Sequence, residues 1–261
     1  MNTTQVSWVC ELKNKGKKIY SQCQQDGVIE SIIENIQIDN KFCVEFGWNS
    51  QTLTGGSGPN CANLVKHKGW DNLFLGPIHA PEIKAYKHLL TTENILDIFK
   101  QYNVPLSPGY ISIDVDSTEV WLLDKLLEVY TPSFYSVEFN CNIPHDYAIT
   151  FPNDSNEHWK NNKIFGASLK CFEIVANKYN YTLVCADIVC GHDAFYVRTE
   201  LLNGVTGIKY TDLNVIRSLH NNPSEGRHLL CLDYEHYLKT KDTKASQDIA
   251  APITTKYLTN D

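Results

Sequence analysis

Short apolar runs alternate with stretches of helical periodicity along most of the chain, and this alternation restricts the fold more than any other feature of the sequence. FCVEF (42–46), NLFL (72–75), YISID (110–114), FYSVEF (134–139), YTLVCAD (181–187) and AFYVR (194–198) read as strands. Between them, Val28, Ile29, Ile32, Ile33 and Ile36 share a helical face within 21–36, and 61–68 reads as a helix closed by Gly69. Residues 92–102, behind a Thr92 cap, 118–129 and 166–179 supply further helices. Strands that alternate with helices build a mostly parallel sheet covered on both faces. The last two strands stand too close for a crossover helix and are expected to pair antiparallel. The expectation is an α/β fold, a Rossmann-like three-layer sandwich with a seven-stranded mostly parallel sheet and an antiparallel terminal strand. It divides into an N-terminal segment and helix at 1–40, the sandwich at 41–203, and an appendage at 204–261, partly helical with a loosely ordered end.

A chain of 261 residues suffices for one large core of this kind. Its formal net charge of −7 argues against a broad phosphate-tracking surface, so no nucleic acid is expected as a partner, while a local basic patch stays compatible with it. The stretch MNTTQVSWVCELKNKGKKIY lacks the apolar core of a secretory signal, and no later apolar run approaches ~18 residues, so neither export nor a membrane span is expected. Nine cysteines are scattered without a CxxC pair, which disfavours a zinc site or a redox dithiol. Several lie inside strands, where a thiol acts as a small buried hydrophobe. These features fit a reducing cytoplasm.

In YISIDVDSTEVWLL (110–123), Asp114 and Asp116 stand two apart where a strand gives way to a helix, so they share a face, roughly 6–7 Å apart. Asp116 or Ser117 could be no more than a helix N-cap, with Glu119 in the first turn. Yet ligands of open α/β sheets bind beyond the C-terminal strand ends, and Glu45 and Glu138 end two other strands. Carboxylates gathered at one edge repel unless a cation, a base or a polyhydroxyl ligand uses them. Asp114, Asp116 and Glu138 offer oxygen ligands that suit Mg²⁺ or Ca²⁺ better than zinc, and Mg²⁺ or Mn²⁺ is the metal such a site would use. His145, in the loop after Glu138, is a candidate general base, whereas His192 reads as structural. Gly47 lets the backbone approach a ligand closely. The GGSG at 55–58 lacks the Lys-Ser/Thr of a phosphate-binding loop and reads as a lid, and HWKNNKIFGASL (158–169) is a candidate pocket wall.

In this order the segments resemble the FkbM-type family of S-adenosylmethionine-dependent methyltransferases over about 20–202. SQCQQDGVIESII is similar to the family's opening helix, KFCVEFG to its first strand and glycine, and ISIDVDSTEVW to its D-[VI]-[DE]-G/S-x-[DE] motif. YSVEFNCNIP, FGASLKCFEIVANKYNYTLV and DAFYVRTELL resemble the segments that follow. The resemblance implies methyl transfer to a hydroxyl oxygen, often of a sugar or natural product. It implies Glu45 and Gly47 against the methionine end of the cofactor, with Asn49 beside them and Gln25 and Asp26 closing over that region. Asp114 would face the sulfonium and the substrate, and Asp116 and Glu138 would hold a substrate hydroxyl or a metal.

The chain departs from the family where LGPIH (75–79) replaces the acid that grips the ribose, with Glu82 standing in from farther on, and where Gln51 replaces a frequent glycine. The resulting expectation is a cytoplasmic S-adenosylmethionine-dependent O-methyltransferase acting on a small-molecule or glycan substrate, with Asp116, Glu138 and His145 catalytic. Its rivals are a non-catalytic binding or assembly protein that keeps the fold, and a carboxylate–metal enzyme of other chemistry. The oligomeric state is left open.

Overall fold

The computed structural model describes residues 7–154, 159–186, 192–210 and 230–259. Its main sheet holds β1 (Phe42–Phe46), β2 (Asp71–Gly76), β3 (Ala85–Lys87), β4 (Tyr110–Ile113), β5 (Phe134–Glu138), β7 (Tyr181–Ala186) and β8 (Asp193–Arg198). The strand order is β3-β2-β1-β4-β5-β8-β7. All pairings from β3 to β5 are parallel, and β8 is antiparallel to both β5 and β7. A separate antiparallel pair joins β6 (Ile149–Thr150) to β9 (Leu232–Asp233).

Strand periodicity explains the layers. Val44 and Phe46 of β1 join Leu73, Leu75, Ile111 and Ile113 on one face, against α4 (Ile95–Gln101), α5 (Glu119–Leu127) and α6 (Leu169–Lys178). Cys43, Phe74, Tyr110 and Phe134 point to the other face, against α2 (Gln25–Asn35) and α3 (Ala62–Lys68). Both faces are therefore covered, as uninterrupted apolar strands require. Each such Val, Leu, Ile or Phe stabilises the fold by about 1.5–3 kcal/mol. A short α1 (Trp8–Glu11) precedes the sandwich, and α3 ends at Gly69, whose φ of 70° places it in the left-handed region.

Several details depart from the sequence reading. The sequence does not single out β3, which has three residues at the sheet edge and only Ala85 buried, too few for a visible period. Thr92 does not cap α4: the helix starts at Ile95 behind Asn94, and the Thr92 hydroxyl bonds to Glu93. The appendage is helical at α7 (Tyr234–Thr240), as expected, but the end expected to be loose, 239–261, contains α8 (Thr243–Leu258), with Asp242 accepting from the Ala245 amide at 2.9 Å. The buried side of α8 is Ser246, Ala250, Thr254 and Leu258, small or polar residues that give little apolar signal, and Pro252 lies inside the helix. Ala250 and Leu258 close a minor core over Ile143, Ile149, Phe151 and Ile164. Residues 211–229 of the appendage lie outside the described residues.

Cys43, Cys61, Cys141, Cys171, Cys185 and Cys231 are free and buried, and Cys10 is free and exposed. Cys23 is disulfide-bonded, which the reading of scattered reduced thiols did not anticipate. Cys190 lies outside the described residues, as do Asp187 and His158. Among the described residues no helix is long and apolar enough to cross a membrane.

Candidate functional site

Strand order reverses at β1, which has β2 on one side and β4 on the other, and this is where an open α/β sheet leaves a crevice beyond its strand ends. Glu45 is buried at the end of β1, and its two oxygens accept from the Asn60 and Cys61 amides at 2.8 Å each, at the start of α3. Gly47 has φ +80°, and a Cβ there would stand 1.9 Å from the Asp114 carbonyl oxygen. The close approach of β1 and β4 thus demands this glycine whether or not a ligand is present. Asn49 binds Ser57 twice, through its amide group to the hydroxyl at 2.9 Å and through its carbonyl from the backbone N–H at 3.2 Å. These bonds fold the glycine-rich loop back over the strand end.

A niche of about 30 Å³ results, lined by Gln25, Glu45, Gly47, Asn60, Asp114 and Asp193 among others. Gln25 donates to the Asp193 carboxylate, and its own oxygen accepts from the Cys23 amide at 2.8 Å. Asn60 donates to Ser112 at 3.1 Å, while its carbonyl oxygen is buried without a partner. Asp26 does not line the niche. One of its oxygens accepts from the amides of Ile19, Tyr20 and Ser21 at 2.8 Å and from the Ser21 hydroxyl at 2.7 Å. It ties the preceding loop to α2, so Asp26 belongs to the scaffold and lines neither cavity.

Next to the niche lies a cavity of about 800 Å³ with Asp114, Asp116, Glu138 and His192 on its polar side and Leu89, Trp159 and Phe165 on its apolar side. Asp114, Asp116 and Glu138 each offer a carboxylate oxygen within 4.8 Å of the others. Neither Asp116 nor Ser117 caps α5 through its side chain; the N-cap residue is Thr118, which makes no side-chain cap bond. Instead the fully buried Glu119 reaches back and accepts from the Val115 and Ser117 amides at 3.0 and 2.9 Å. Its oxygen thus holds both amides that flank Asp116, which adopts φ +60°. Asp and Asn tolerate that left-handed conformation better than other side chains.

Burial pushes the Asp114 and Glu138 carboxyls well above the usual range, and the acids around them add to the effect: first Asp116 for Asp114, and first Asp114 for Glu138. Burial raises Glu45 to about 7 against the lowering pull of the Cys61 and Asn60 amides. It raises Glu119 to about 7 as well, against the Ser117 and Val115 amides. Glu138 and Glu119 each keep one buried oxygen without a hydrogen-bond partner. Such a group of acceptors suits a cationic or donor-rich ligand.

The crevice therefore gathers Gln25, Glu45, Gly47, Asn49, Asp114, Asp116 and Glu138. It does not gather His145, which sits 3.1 Å from Asp146 and lines neither cavity. The loop that carries it is drawn into the minor core by buried Ile143, so the candidate general base stays outside. Glu82 is exposed within the Pro81–Ile83 turn and also lines neither cavity. The end of β2 offers only Gly76 and Pro77, with Lys87 paired to Gly76 in register.

The sequence reading missed Asp193, Asn60 and Lys87 among the lining residues, and Glu119, which supports Asp116 from outside the lining. Asp193 opens a strand, but that strand runs antiparallel, so its start lies at the edge where the parallel strands end; Asp193 pairs with Glu138 in register. The short link between the last two strands was the signal.

No protein-family model matches the sequence, and no curated protein matches it. Among solved structures, the N-terminal domain of EvdMO1 with SAH bound is similar with a TM-score of 0.39 and 7% identity, over 67% of this chain and 80% of that chain. The same domain in the presence of SAH and D-fucose gives a TM-score of 0.35 and 7% identity, over 75% and 84%. At these scores the likeness carries no argument about this chain.

Proposed function

We propose that the chain is an S-adenosylmethionine-dependent O-methyltransferase that acts on a hydroxyl of a small or glycosidic substrate. The observation that carries this reading is the acceptor-lined niche at the β1/β4 crevice, opening beside a cavity that presents two further carboxylates. Asp114, Asp193 and the unpartnered Asn60 oxygen suit the amino group and positive charge of that cofactor. The Gly76-Pro77 end of β2 offers its ribose no acid, so Lys87 would supply a donor in its place. When bound, the cofactor supplies an electrophilic methyl group.

The chain's own groups do the rest. Trp159 and Phe165, with the largely exposed Leu89, give apolar parts of the ligands a wall. Asp116, held at the cavity by the Glu119 bonds, orients the acceptor hydroxyl. Glu138 lies at the cavity beside Asp114 and Asp116, and in its ionised form it is the carboxylate placed to take up the hydroxyl proton.

The mutual 4.8 Å spacing of Asp114, Asp116 and Glu138 favours one second reading, in which a Mg²⁺ or Mn²⁺ ion held by these oxygens orients the acceptor. Calorimetry with S-adenosylhomocysteine tests the main reading. Binding should be measurable, and Asp114→Asn should weaken it by roughly 10–100-fold, the scale of a lost charge-assisted hydrogen bond. Silence at millimolar ligand would leave a binding or assembly protein that keeps the sandwich. Restoration by Mg²⁺ after chelation would support the metal reading.

A further inference from the structure

Outside the crevice, the segment KNKGKK (13–18) and the end of α3, KHK (66–68), meet on one surface. The loop is fastened to α2 by backbone bonds from Lys17 to Gln24 and from Gly27 to Lys17, both at 3.1 Å. The α3 end is fastened to the loop by Tyr20, whose hydroxyl lies 2.9 Å from His67 and whose ring lies under the Lys66 ammonium at 5.1 Å. Lys17 and Lys68 flank Glu30 at 3.8 and 3.0 Å. Lys13, Lys15, Lys17, Lys18, Lys66 and Lys68 are all exposed. Among the described residues, Lys13, Lys15, Lys18 and Lys66 have no carboxylate partner.

A chain with a net charge of −7 thus concentrates positive charge on one face. Among the described residues that charge is carried by lysine, and Arg198 is paired with Glu200 at 2.9 Å. Readers of nucleic acid favour arginine forks and open stacking aromatics, and Tyr20, the aromatic of this face, is stacked on His67; clustered lysines are attracted to an anionic lipid headgroup layer. We infer that this face docks the protein on an anionic lipid surface. The acidic remainder of the molecule is repelled from such a layer, so the attraction also orients it. The Lys18 ammonium donates to the Gln22 carbonyl at 2.8 Å, and Gln22 lines both the niche and the large cavity. That bond ties the lysine-bearing loop to a residue of the crevice lining.

The proposal is independent of the cofactor and is tested without one. The full chain is sedimented with phosphatidylcholine vesicles containing about 30% phosphatidylserine, and with phosphatidylcholine alone, at low and at about 0.5 M salt. It should partition onto the anionic vesicles only, and high salt should release it. At about fivefold per lysine, the K13E/K15E/K66E variant should lose at least about 100-fold in partitioning, with an unchanged melting temperature showing that it is folded. Equal binding to neutral vesicles, retention by the triple variant, or no binding at low salt would overturn the proposal. Tighter retention on duplex nucleic acid than on anionic vesicles would overturn it as well.

Discussion

Asp116 and Glu119 act as a pair: one residue adopts an uncommon backbone conformation at the cavity, and the other holds the two amides around it. Asparagine tolerates that conformation, so Asp116→Asn should change stability by less than about 0.5 kcal/mol while turnover falls by ~10²-fold. Asp116→Val should destabilise by about 1–2 kcal/mol, because a β-branched side chain fits the left-handed region poorly. Full turnover in Asp116→Asn would remove Asp116 from the chemistry.

Glu119 makes a separate prediction about pH. Its folded pKa of about 7 exceeds its ordinary value of 4.5, so its contribution to stability is complete below the unfolded pKa and is lost as pH rises through 7. Glu119→Gln keeps an oxygen for both amides and never ionises. Urea unfolding at pH 5 and pH 8 should show the variant gaining on the wild type by about 2–3 kcal/mol at the higher pH. Parallel behaviour at both pH values would mean that Glu119 does not ionise in the fold. Gly47 is a poor probe of ligand binding by comparison, since Gly47→Val must displace the Asp114 carbonyl and should unfold the crevice itself. Glu45, Asp114 and Glu138 were legible in the sequence because acids at the ends of apolar strands stand out; Asp193 was not, because its place depends on strand direction.

Among the elements, α8 departs most from what its sequence suggests, for the same reason that it should be sensitive to mutation. Its buried side has little apolar area, so a large share of its anchoring falls on Leu258, which is fully buried. Leu258→Ala should destabilise by about 2–4 kcal/mol, and Asp242→Ala by about 1 kcal/mol through loss of the N-cap bond. Denaturant titration of each variant checks both values. Hydrogen exchange should quicken at 140–151, where Ile143, Ile149 and Phe151 share the minor core, before it quickens in β1 or β4. The parallel core was legible because its strands are buried on both faces and read as unbroken apolar runs. β3 was not, because three residues at an edge carry no period.

At the scale of the whole molecule, the gathered carboxyls make ligand charge and pH inseparable. Asp114 and Glu138 are held protonated beyond the usual range, so a cationic ligand must displace their protons. S-adenosylmethionine carries a sulfonium that S-adenosylhomocysteine lacks. Calorimetry over a pH series should therefore show the preference for the charged cofactor rising with pH as these carboxyls ionise. A preference that is flat in pH would place the sulfonium away from these acids.

The sheet order also has a consequence for synthesis. β8 follows β7 in the chain yet lies between β5 and β7, pairing with both. A nascent chain that has released β1 to β7 therefore holds two unsatisfied strands facing an empty slot. The ribosome must deliver β8 before that half of the sheet can close, and at about 5–20 residues per second the wait is short but not negligible. Asp193 arrives on that same strand directly after His192, so the niche and the large cavity are completed only at that moment.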